Sequence, residues 1–469
     1  MKDFLVYQNQ ENMSLFTDLY ELAMCASYFD NERCETATFD LFIRRLPPGR
    51  SFLLFAGLEQ VLLYLRSVRF TDQHIAYLRR QGFQEPFLKY LQDFKFTGEV
   101  FAVPEGTVVF PNEPLIRVTA PIIQAQLAET FMLNTVNLQT MIASKAARVV
   151  QAANGKSVIE FGLRREHGID AGMKVARSSY IAGCQGTSNV LAGLAYGIPV
   201  FGTMAHSFIM SYEREIDAFR AFTKTFPAKS TLLIDTYDDL AGAEKAAVVA
   251  KEMEKRGFKL GGIRLDSGDL AEISKKVRLM LDAQGLNYVN IFASGDLDEC
   301  KIEELKAKNA KIDAYGVGTK MGTSADYPYI DVIYKLSEIE NGDGEFVPIM
   351  KLSEGKVTLP GRKQVHRFVD DKGFYVKDTI TLADETEDGE PLLVKVMHEG
   401  KLSFDLPSLS QIRETASVSL KRLPKKHKKL IAAQPYPVEL SQTLADLVQS
   451  LKKKIAMTEI RSQHSTEAV

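Results

Sequence analysis

The segment Gly261-Gly-Ile-Arg-Leu-Asp-Ser-Gly-Asp269 is a short apolar run that ends in polar and charged residues. A helix-like stretch, residues 269–284, follows directly and begins with an acidic residue, which suits a helix N-terminus. Buried parallel strands have short apolar runs of this kind, and active sites of α/β proteins lie at their C-terminal ends. The segment therefore predicts a strand, a helix and functional side chains between them.

The same unit repeats between Ser157 and Thr319. The apolar runs predict strands near residues 157–163, 198–204, 231–235, 261–265, 290–294 and 313–317. Six clear units with one or two weaker ones fit an eight-stranded barrel or a large doubly wound sheet. We favour the α/β barrel, because residues suited to an active site end nearly every strand rather than two neighbouring ones.

The flanking segments predict a second domain of mixed α and β structure. Residues 1–150 contain helix-like and strand-like stretches, with a long helix expected over residues 122–153 and Asn154-Gly155 as its C-terminal cap. Residues 151–335 hold the barrel. Residues 336–469 form short β-like pieces with Gly and Pro turns, and we expect them to pack back on the N-terminal part.

The composition is that of a globular protein of two or three domains, with 469 residues, 45% hydrophobic and 25% charged. A formal net charge of -2 argues against a dedicated nucleic-acid or membrane-surface protein. The four cysteines show neither a CxxC pair nor zinc-finger spacing, and no signal peptide or membrane span is evident. We expect a cytoplasmic protein.

Adjacent cations at the end of the first predicted strand suggest an anion site. Arg164 and Arg165 are flanked by glycines, and paired guanidinium groups suit bidentate binding of phosphate or carboxylate. An ion pair with Glu160 or Glu166 is an equally good explanation from these residues alone.

The later strand ends combine cations, carboxylates and glycines. Arg264 and Asp266 supply charge, and Ser294-Gly295 and Gly316-Val-Gly318-Thr319 supply backbone amides that can approach an anion. This mixture suits a phosphorylated sugar carried with Mg²⁺. The alternative is that the acidic residues of 266–269 merely cap the following helix.

One of the seven histidines, His206, follows the apolar run at residues 198–201. A histidine at a strand end can act as a base, a metal ligand or a phosphoryl acceptor. Without further context it is more often a structural residue. Metal ligation is disfavoured because no second His or Cys lies at ligand spacing, so the metal ligands stay unknown.

Six motifs, taken in order, resemble the nicotinate phosphoribosyltransferase family, which belongs to the type II phosphoribosyltransferases. The resemblance covers residues from about 10 to about 445, and the order of the motifs makes it specific. They are Thr17-Asp-Leu-Tyr-Glu-Leu-Ala-Met24, Glu160-Phe-Gly-Leu-Arg-Arg165, Gly186-Thr-Ser-Asn-Val-Leu-Ala-Gly193, Gly202-Thr-Met-Ala-His-Ser-Phe208, Arg264-Leu-Asp-Ser-Gly-Asp269 and Gly316-Val-Gly-Thr319.

The resemblance implies an irregular α/β barrel joined to a domain built from both ends of the chain. It also implies the reaction: nicotinate and phosphoribosyl pyrophosphate give nicotinate mononucleotide and pyrophosphate, coupled to ATP hydrolysis in NAD salvage. By the same resemblance His206 is transiently phosphorylated by ATP, Tyr20, Thr203 and Arg264 contact nicotinate, and Thr319 holds the ribose phosphate. Family members are usually homodimers, so Tyr20 is expected to act in the partner's site.

The reaction sets further expectations for the strand ends. Positive charge builds on the ribose as pyrophosphate leaves, so Asp235 or Asp266 would hold Mg²⁺ or ribose hydroxyls while cations neutralise the leaving group. Arg264 would pair with the nicotinate carboxylate. The neighbour that orients His206 is not evident, and Glu160, Asp235 and Asp238 are candidates.

Other functions stay open from the sequence. A nicotinamide phosphoribosyltransferase would share the same barrel and sugar-phosphate site. Residues 232–239 resemble the ribose loop of type I phosphoribosyltransferases but lack its downstream Thr and glycines. A Mg²⁺-dependent lyase or aldolase is more remote, with Lys320 as the one lysine near these strand ends for a Schiff base. A non-catalytic scaffold role is the weakest alternative.

Overall fold

The computed structural model describes residues 10–460. The chain divides into two compact units, one formed by residues 142–328 and one by the segments on either side of it. The limits predicted from the sequence lay near residues 150 and 335. The first boundary falls inside the helix Glu129–Ala153, where no loop marks it.

Short helices and strands alternate along the N-terminal segment. The helices are α1 (Leu19–Asp30), α2 (Leu58–Ser67), α3 (Asp72–Arg80), α4 (Glu85–Gln92), α5 (Ile122–Leu127) and α6 (Glu129–Ala153). The strands are β1 (Thr36–Ile43), β2 (Leu53–Leu54), β3 (Glu99–Ala102), β4 (Val108–Val109) and β5 (Pro114–Pro121). The long helix predicted over residues 122–153 is interrupted at Ala128. It ends as predicted, because Asn154 and Gly155 both take positive φ, 49° and 88°.

A parallel sheet forms the centre of the unit 142–328. Its strands are β6 (Ser157–Glu160), β7 (Gly186–Thr187), β8 (Thr231–Leu233), β9 (Gly262–Leu265), β10 (Asn290–Ala293) and β11 (Ala314–Val317). They pair in the order β7-β6-β11-β10-β9-β8. Five of the six predicted strands are confirmed, and the sheet is an open half-barrel rather than a closed barrel of eight strands.

The strand predicted over residues 198–204 is wrong. Only Val200 bridges to Thr187, so the sixth strand of the sheet is β7 instead. Pro199 has no backbone N–H to donate, which limits pairing at this edge. A two-residue strand such as β7 leaves no apolar run in the sequence for a pattern to detect.

Helices follow the strands of this sheet, and several of them begin at polar caps. They are α7 (Ile169–Ile181), α8 (Val190–Tyr196), α9 (His206–Met210), α10 (Glu215–Thr225), α11 (Asp239–Lys255), α12 (Leu270–Ala283), α13 (Glu299–Ala307) and α14 (Thr319–Gly322). Asp238, Asp269 and Asp298 cap α11, α12 and α13 by accepting backbone N–H bonds. Each cap fixes where a strand-end turn becomes a helix.

The C-terminal segment shares a sheet with the N-terminal segment. Its strands are β12 (Val332–Glu340), β13 (Phe346–Pro348), β14 (Lys363–Val369), β15 (Tyr375–Leu382), β16 (Glu390–Pro391), β17 (Val394–His398), β18 (Lys401–Leu402) and β19 (Val438–Leu440), and its helices are α15 (Leu409–Arg422) and α16 (Gln442–Ile455). The seven-stranded order β13-β12-β1-β5-β3-β17-β18 interleaves the two ends of the chain. The expected second domain built from both termini is confirmed.

Across residues 10–460, every helix is too short or too polar to cross a bilayer.

Candidate active site

A cavity of about 730 Å³ lies at the C-terminal ends of the parallel strands. Because parallel strands end at one edge of a sheet, residues distant in sequence meet there. Eleven of the thirteen residues proposed from the sequence line this cavity: Arg164, Arg165, Thr203, His206, Arg264, Asp266, Ser294, Gly295, Gly316, Gly318 and Thr319.

Two proposed residues do not line it. Tyr20 belongs to the other unit, where its side chain is 50% exposed. Asp235 contacts the turn after β9 instead, because its Oδ2 accepts from the Asp266 backbone N–H at 3.0 Å and from the Ser267 hydroxyl at 2.7 Å. The structure thus gives Asp235 contacts that position the turn, whereas its expected contact with metal or ribose stays a prediction.

Arg264 presents a largely buried cation to the cavity. Its Nη1 donates to the Thr203 hydroxyl at 2.6 Å, and its Nη2 lies 3.7 Å from Asp266 Oδ2. Within residues 10–460 its Nε has no hydrogen-bond partner although the atom is buried. Burial lowers the pKa of Arg264. The nearby carboxylates of Asp266 and Asp235 raise it, but by less. A buried guanidinium with an unused donor is suited to an anionic ligand.

Arg164 and Arg165 are exposed and line the same cavity. Among the described residues neither guanidinium forms the ion pair with Glu160 or Glu166 that the sequence left open. The charge of Arg164 reaches Arg264, since it helps to lower the pKa of Arg264. The three arginines therefore concentrate positive charge, as binding of a polyanion requires.

Asp266 and Ser294 join the turns after β9 and β10. The Ser294 hydroxyl donates to Asp266 Oδ1 at 2.5 Å. Gly295 has a φ of 90°, and a Cβ there would lie 2.0 Å from the Asp266 carbonyl oxygen. Only glycine fits this close approach. The helix-capping alternative holds for Asp269 alone, while Asp266 faces the cavity.

Phe161 is a cavity residue that the sequence analysis did not single out. Its ring lies 5.6 Å from that of Phe292, centroid to centroid. A Cβ at Gly316 would approach the Phe161 ring to 2.7 Å, and one at Gly318 would approach the Phe161 carbonyl oxygen to 2.9 Å. Phe161 stands inside the quoted motif 160–165, but an aromatic residue beside a strand end carries no specific signal of ligand contact.

His206 lies at the first position of α9, half-buried on the cavity wall. Its Nδ1 lies 3.1 Å from the Thr236 hydroxyl. The orienting neighbour is thus a hydroxyl, and not one of the carboxylates Glu160, Asp235 or Asp238. When Nδ1–H donates to this hydroxyl, Nε2 carries the lone pair and is the nitrogen left to act on a ligand. Thirty residues separate the pair, so sequence alone did not indicate it.

Lys320 is engaged by carboxylates and lies outside the cavity lining. Its Nζ lies 3.0 Å from Asp296 Oδ2 and 3.6 Å from Asp298 Oδ2. The hydrogen bond to Asp296 raises the pKa of Lys320, so its amine stays protonated. A Schiff base needs the neutral amine, which disfavours the aldolase alternative.

Within the described part of the chain, no three His, Cys, Asp or Glu side chains converge as a metal-ligand group. Mg²⁺ commonly keeps several waters and is held by one or two carboxylates together with substrate phosphates. Asp266 and Asp296 are the carboxylates of the cavity wall. This donor set suits Mg²⁺ that arrives on a phosphorylated ligand.

Comparison with known proteins decides the family. A model of the nicotinate phosphoribosyltransferase family matches residues 157–372, and models of its N-terminal and C-terminal domains match residues 15–137 and 386–448. A nicotinate phosphoribosyltransferase of Mycobacterium tuberculosis is 46% identical over 94% of this chain and 94% of its own. The chain belongs to the nicotinate phosphoribosyltransferase family.

Further relatives agree with the nicotinate phosphoribosyltransferase family and its fold. The Bacillus subtilis nicotinate phosphoribosyltransferase is 41% identical over 92% of this chain and 94% of its own. The crystal structure of human nicotinic acid phosphoribosyltransferase superposes with a TM-score of 0.82 at 30% identity, and covers 93% of this chain and 99% of that one. The expected family and fold class are therefore confirmed.

Proposed function

We propose that this protein transfers phosphoribosyl from phosphoribosyl pyrophosphate to nicotinate, giving nicotinate mononucleotide and pyrophosphate. The single observation that carries the proposal is Arg264, buried at the cavity with an unpartnered Nε. Membership of the nicotinate phosphoribosyltransferase family supports the same reaction.

Arg264 favours the acid over the amide. Nicotinate offers a carboxylate that pairs with a guanidinium, whereas nicotinamide offers a neutral group. Leaving a buried charge without its partner costs on the order of 2–5 kcal/mol. Thr203 holds one side of the guanidinium, so the remaining donors have a fixed direction. Phe161 lines the same cavity, and an aromatic residue there is suited to packing against a pyridine ring.

The transfer exchanges one bond for another at the anomeric carbon. The nicotinate ring nitrogen donates its electron pair to that carbon while the carbon–oxygen bond to pyrophosphate breaks and its electrons leave with pyrophosphate. Arg164 and Arg165 stabilise the negative charge that grows on the leaving group. Asp266 stabilises the positive charge that grows on the ribose, and the glycine turns at 295 and 316–318 admit the phosphates.

Mg²⁺ is part of the proposal as an ion that enters on the pyrophosphate group. It would neutralise phosphate charge there, with Asp266 and Asp296 as the nearest protein oxygens of the cavity wall. Asp235, which holds the turn at 266–267, would support this position indirectly.

ATP coupling is proposed to act through His206. The neutral imidazole, with its Nδ1–H donating to the Thr236 hydroxyl oxygen, would attack the terminal phosphorus of ATP with the Nε2 lone pair, and the bond to ADP would break as ADP leaves. The phosphoryl group on the cavity wall would change the affinity for the sugar phosphate before water removes it. The geometry supports this role because one ring nitrogen is occupied and His206 lines the cavity.

A homodimer is proposed from an exposed apolar surface on α8. Leu194 is 84%, Val190 71% and Leu191 55% exposed, and Val200 packs beside them at Gly193. Apolar side chains grouped in this way mark protein interaction sites. In the dimer that the family resemblance implies, Tyr20 of one protomer would act in the site of its partner.

A product assay tests the proposal. The purified protein is incubated with phosphoribosyl pyrophosphate, Mg²⁺ and either nicotinate or nicotinamide, with and without ATP, and pyrophosphate and mononucleotide are quantified. We expect product with nicotinate, a higher rate with ATP, and little product with nicotinamide. Product with nicotinamide alone would favour the amide-specific enzyme, and no pyrophosphate with either substrate would refute the proposal.

A further inference from the structure

Two glutamates that the proposed mechanism does not use lie against the cavity wall. Glu160, the last residue of β6, is 1% exposed. Its Oε1 accepts the Gly162 backbone N–H, and its Oε2 accepts the Thr187 hydroxyl at 2.5 Å. Burial raises the pKa of Glu160, but the Thr187 and Gly162 donors act against this rise. The two donors favour the ionised form, so we assign Glu160 as the carboxylate of the pair.

Glu166 completes the pair as the protonated partner. Both of its carboxyl oxygens are buried, and within residues 10–460 neither meets a fixed donor. The two carboxyl groups approach each other at Gly162, because a Cβ there would lie 2.6 Å from Glu166 Oε1 and 3.0 Å from Glu160 Oε1. Burial, together with the charge of Glu160, raises the pKa of Glu166 to about 9. At neutral pH Glu166 is therefore the donor and Glu160 the acceptor.

Three glycines shape the space around the Glu166 carboxyl. A Cβ on Gly162 would lie 2.6 Å from its Oε1, and one on Gly322 would lie 2.8 Å from the same atom. A Cβ on Gly172 would lie 3.1 Å from its Oε2. These glycines come from the turn after β6, from α14 and from α7. A side chain at any of these three positions would leave too little room for the Glu166 carboxyl group. The three glycines therefore form an enclosure that fits this group.

We propose that Glu160 and Glu166 form a positioning pair that shares one proton and ties the Arg164–Arg165 turn to the Gly318–Thr319 turn. Glu166 is close in the chain to the first turn and close in space to the helix that follows the second. Glu166 directly follows Arg165, and Gly322 lies in the helix that starts at Thr319. The inference rests on the proposed function, in which both turns hold the phosphates of phosphoribosyl pyrophosphate.

Glu160 is the main charged neighbour of Glu166. The other charged groups nearby face the cavity or are already paired. The turn carries Arg164 and Arg165, which face the cavity. On α7 Lys174 pairs with Asp170 at 2.7 Å, and on α14 Lys320 pairs with Asp296 at 3.0 Å. Loss of the shared proton would place two carboxylates together without a neutralising partner, and their repulsion would separate the two turns.

The sign of the pH effect follows from the raised pKa of Glu166. In the folded chain the Glu166 carboxyl keeps a proton that a free glutamate loses at about pH 4.3. The stabilising hydrogen bond is therefore present at low and neutral pH and is lost as pH rises through about 9. Gln at position 166 would donate the same hydrogen bond at every pH.

Calorimetric titration with phosphoribosyl pyrophosphate and Mg²⁺, from about pH 7 to about pH 10, tests the pair. We expect the affinity of the wild-type protein to fall about tenfold more across this range than that of the Glu166→Gln variant, which binds normally at neutral pH. Glu166→Ala should bind about tenfold more weakly throughout. Glu272→Gln, an exposed change on α12, should follow the wild type.

The proposed pair would be refuted if the affinity for phosphoribosyl pyrophosphate depended on pH identically in the wild type and in Glu166→Gln. Normal binding by a folded Glu166→Ala would also refute it. Circular dichroism establishes that each variant is folded. If the wild type binds no phosphoribosyl pyrophosphate at any pH, the proposed function itself is refuted. The two failures are thus distinguishable, because only the first leaves wild-type binding intact.

Discussion

His206 and Thr236 show how much a single contact adds to a residue's chemistry. In the sequence, nothing beside His206 indicates its role, and an isolated histidine is more often structural than functional. In the structure its Nδ1 meets the Thr236 hydroxyl and its ring lines the cavity. A fixed nitrogen and a free one are what a phosphoryl acceptor requires.

Replacement of His206 by Asn should abolish the stimulation of nucleotide formation by ATP. The amide cannot accept a phosphoryl group, while the cavity keeps its arginines, so a slow ATP-independent rate should remain. The measurement is the rate of mononucleotide formation with and without ATP. His167→Asn, an exposed change away from the cavity lining, is the control. Undiminished ATP stimulation in His206→Asn would contradict the phosphohistidine role.

Thr236→Val should slow phosphorylation of His206 by about tenfold, because the ring loses the hydrogen bond that fixes it. Thr236→Ser keeps a hydroxyl and should stay near the wild-type rate. Incorporation of labelled phosphate from ATP measures the effect directly. Equal labelling of the Val and Ser variants would show that Thr236 does not orient the imidazole.

At the scale of the elements, the turn after β10 depends on Gly295. Its φ of 90° and the 2.0 Å approach to the Asp266 carbonyl oxygen exclude a side chain. Gly202 also lines the cavity, but a Cβ there would meet nothing within 4 Å. The two glycines therefore form a matched pair for substitution.

Gly295→Ala should lower the free energy of unfolding by about 2 kcal/mol or more, whereas Gly202→Ala should change it by less than about 1 kcal/mol. Thermal unfolding of both variants beside the wild type measures the difference. Equal tolerance of the two substitutions would show that the turn after β10 does not require glycine at position 295.

The sequence predicted those elements whose pattern is local. Five strands of the half-barrel were evident because each is an apolar run followed by a polar end. β7 was missed since two residues carry no periodicity, and the strand over 198–204 was wrong because an apolar run with Pro199 pairs only at Val200. Eleven of the residues proposed for the site meet in one cavity.

Contacts between distant residues were the part that sequence did not reveal. The pairing of His206 with Thr236 and the enclosure of Glu166 by glycines each join different elements. No spacing rule connects such residues, because their approach is set by the order of strands in the sheet. The assignment of Asp235 to the turn at 266–267 has the same origin.

For the whole molecule, the proposed dimer can be tested at Leu194, the more exposed of the two leucines on α8. Leu194→Glu would place a charge in the apolar surface, so the mass in solution should fall from a dimer to that of the 52.4 kDa chain. Leu279→Glu, on α12 and 71% exposed, is the control and should stay dimeric. Light scattering after size exclusion measures both. A Leu194→Glu variant that remains dimeric would place the interface elsewhere.

The proposed use of Tyr20 in the partner's site has a complementation test of its own. Tyr20→Ala and Arg264→Gln homodimers should each be nearly inactive, and subunit exchange between them should restore about a quarter of the wild-type activity. Heterodimers then contain one site with both residues intact. No recovery after verified exchange would mean that Tyr20 and Arg264 do not act in the same site across the dimer.

The role of Arg264 in recognising nicotinate is tested by the ratio of kcat/KM for nicotinate to that for nicotinamide, measured in the wild type and in Arg264→Gln. A buried guanidinium that pairs with the substrate carboxylate predicts a wild-type preference for the acid of about a hundredfold or more. In Arg264→Gln this ratio should fall at least about tenfold, mainly through loss of activity on nicotinate. An unchanged ratio would contradict the assignment of Arg264 and of the cavity as the nicotinate site.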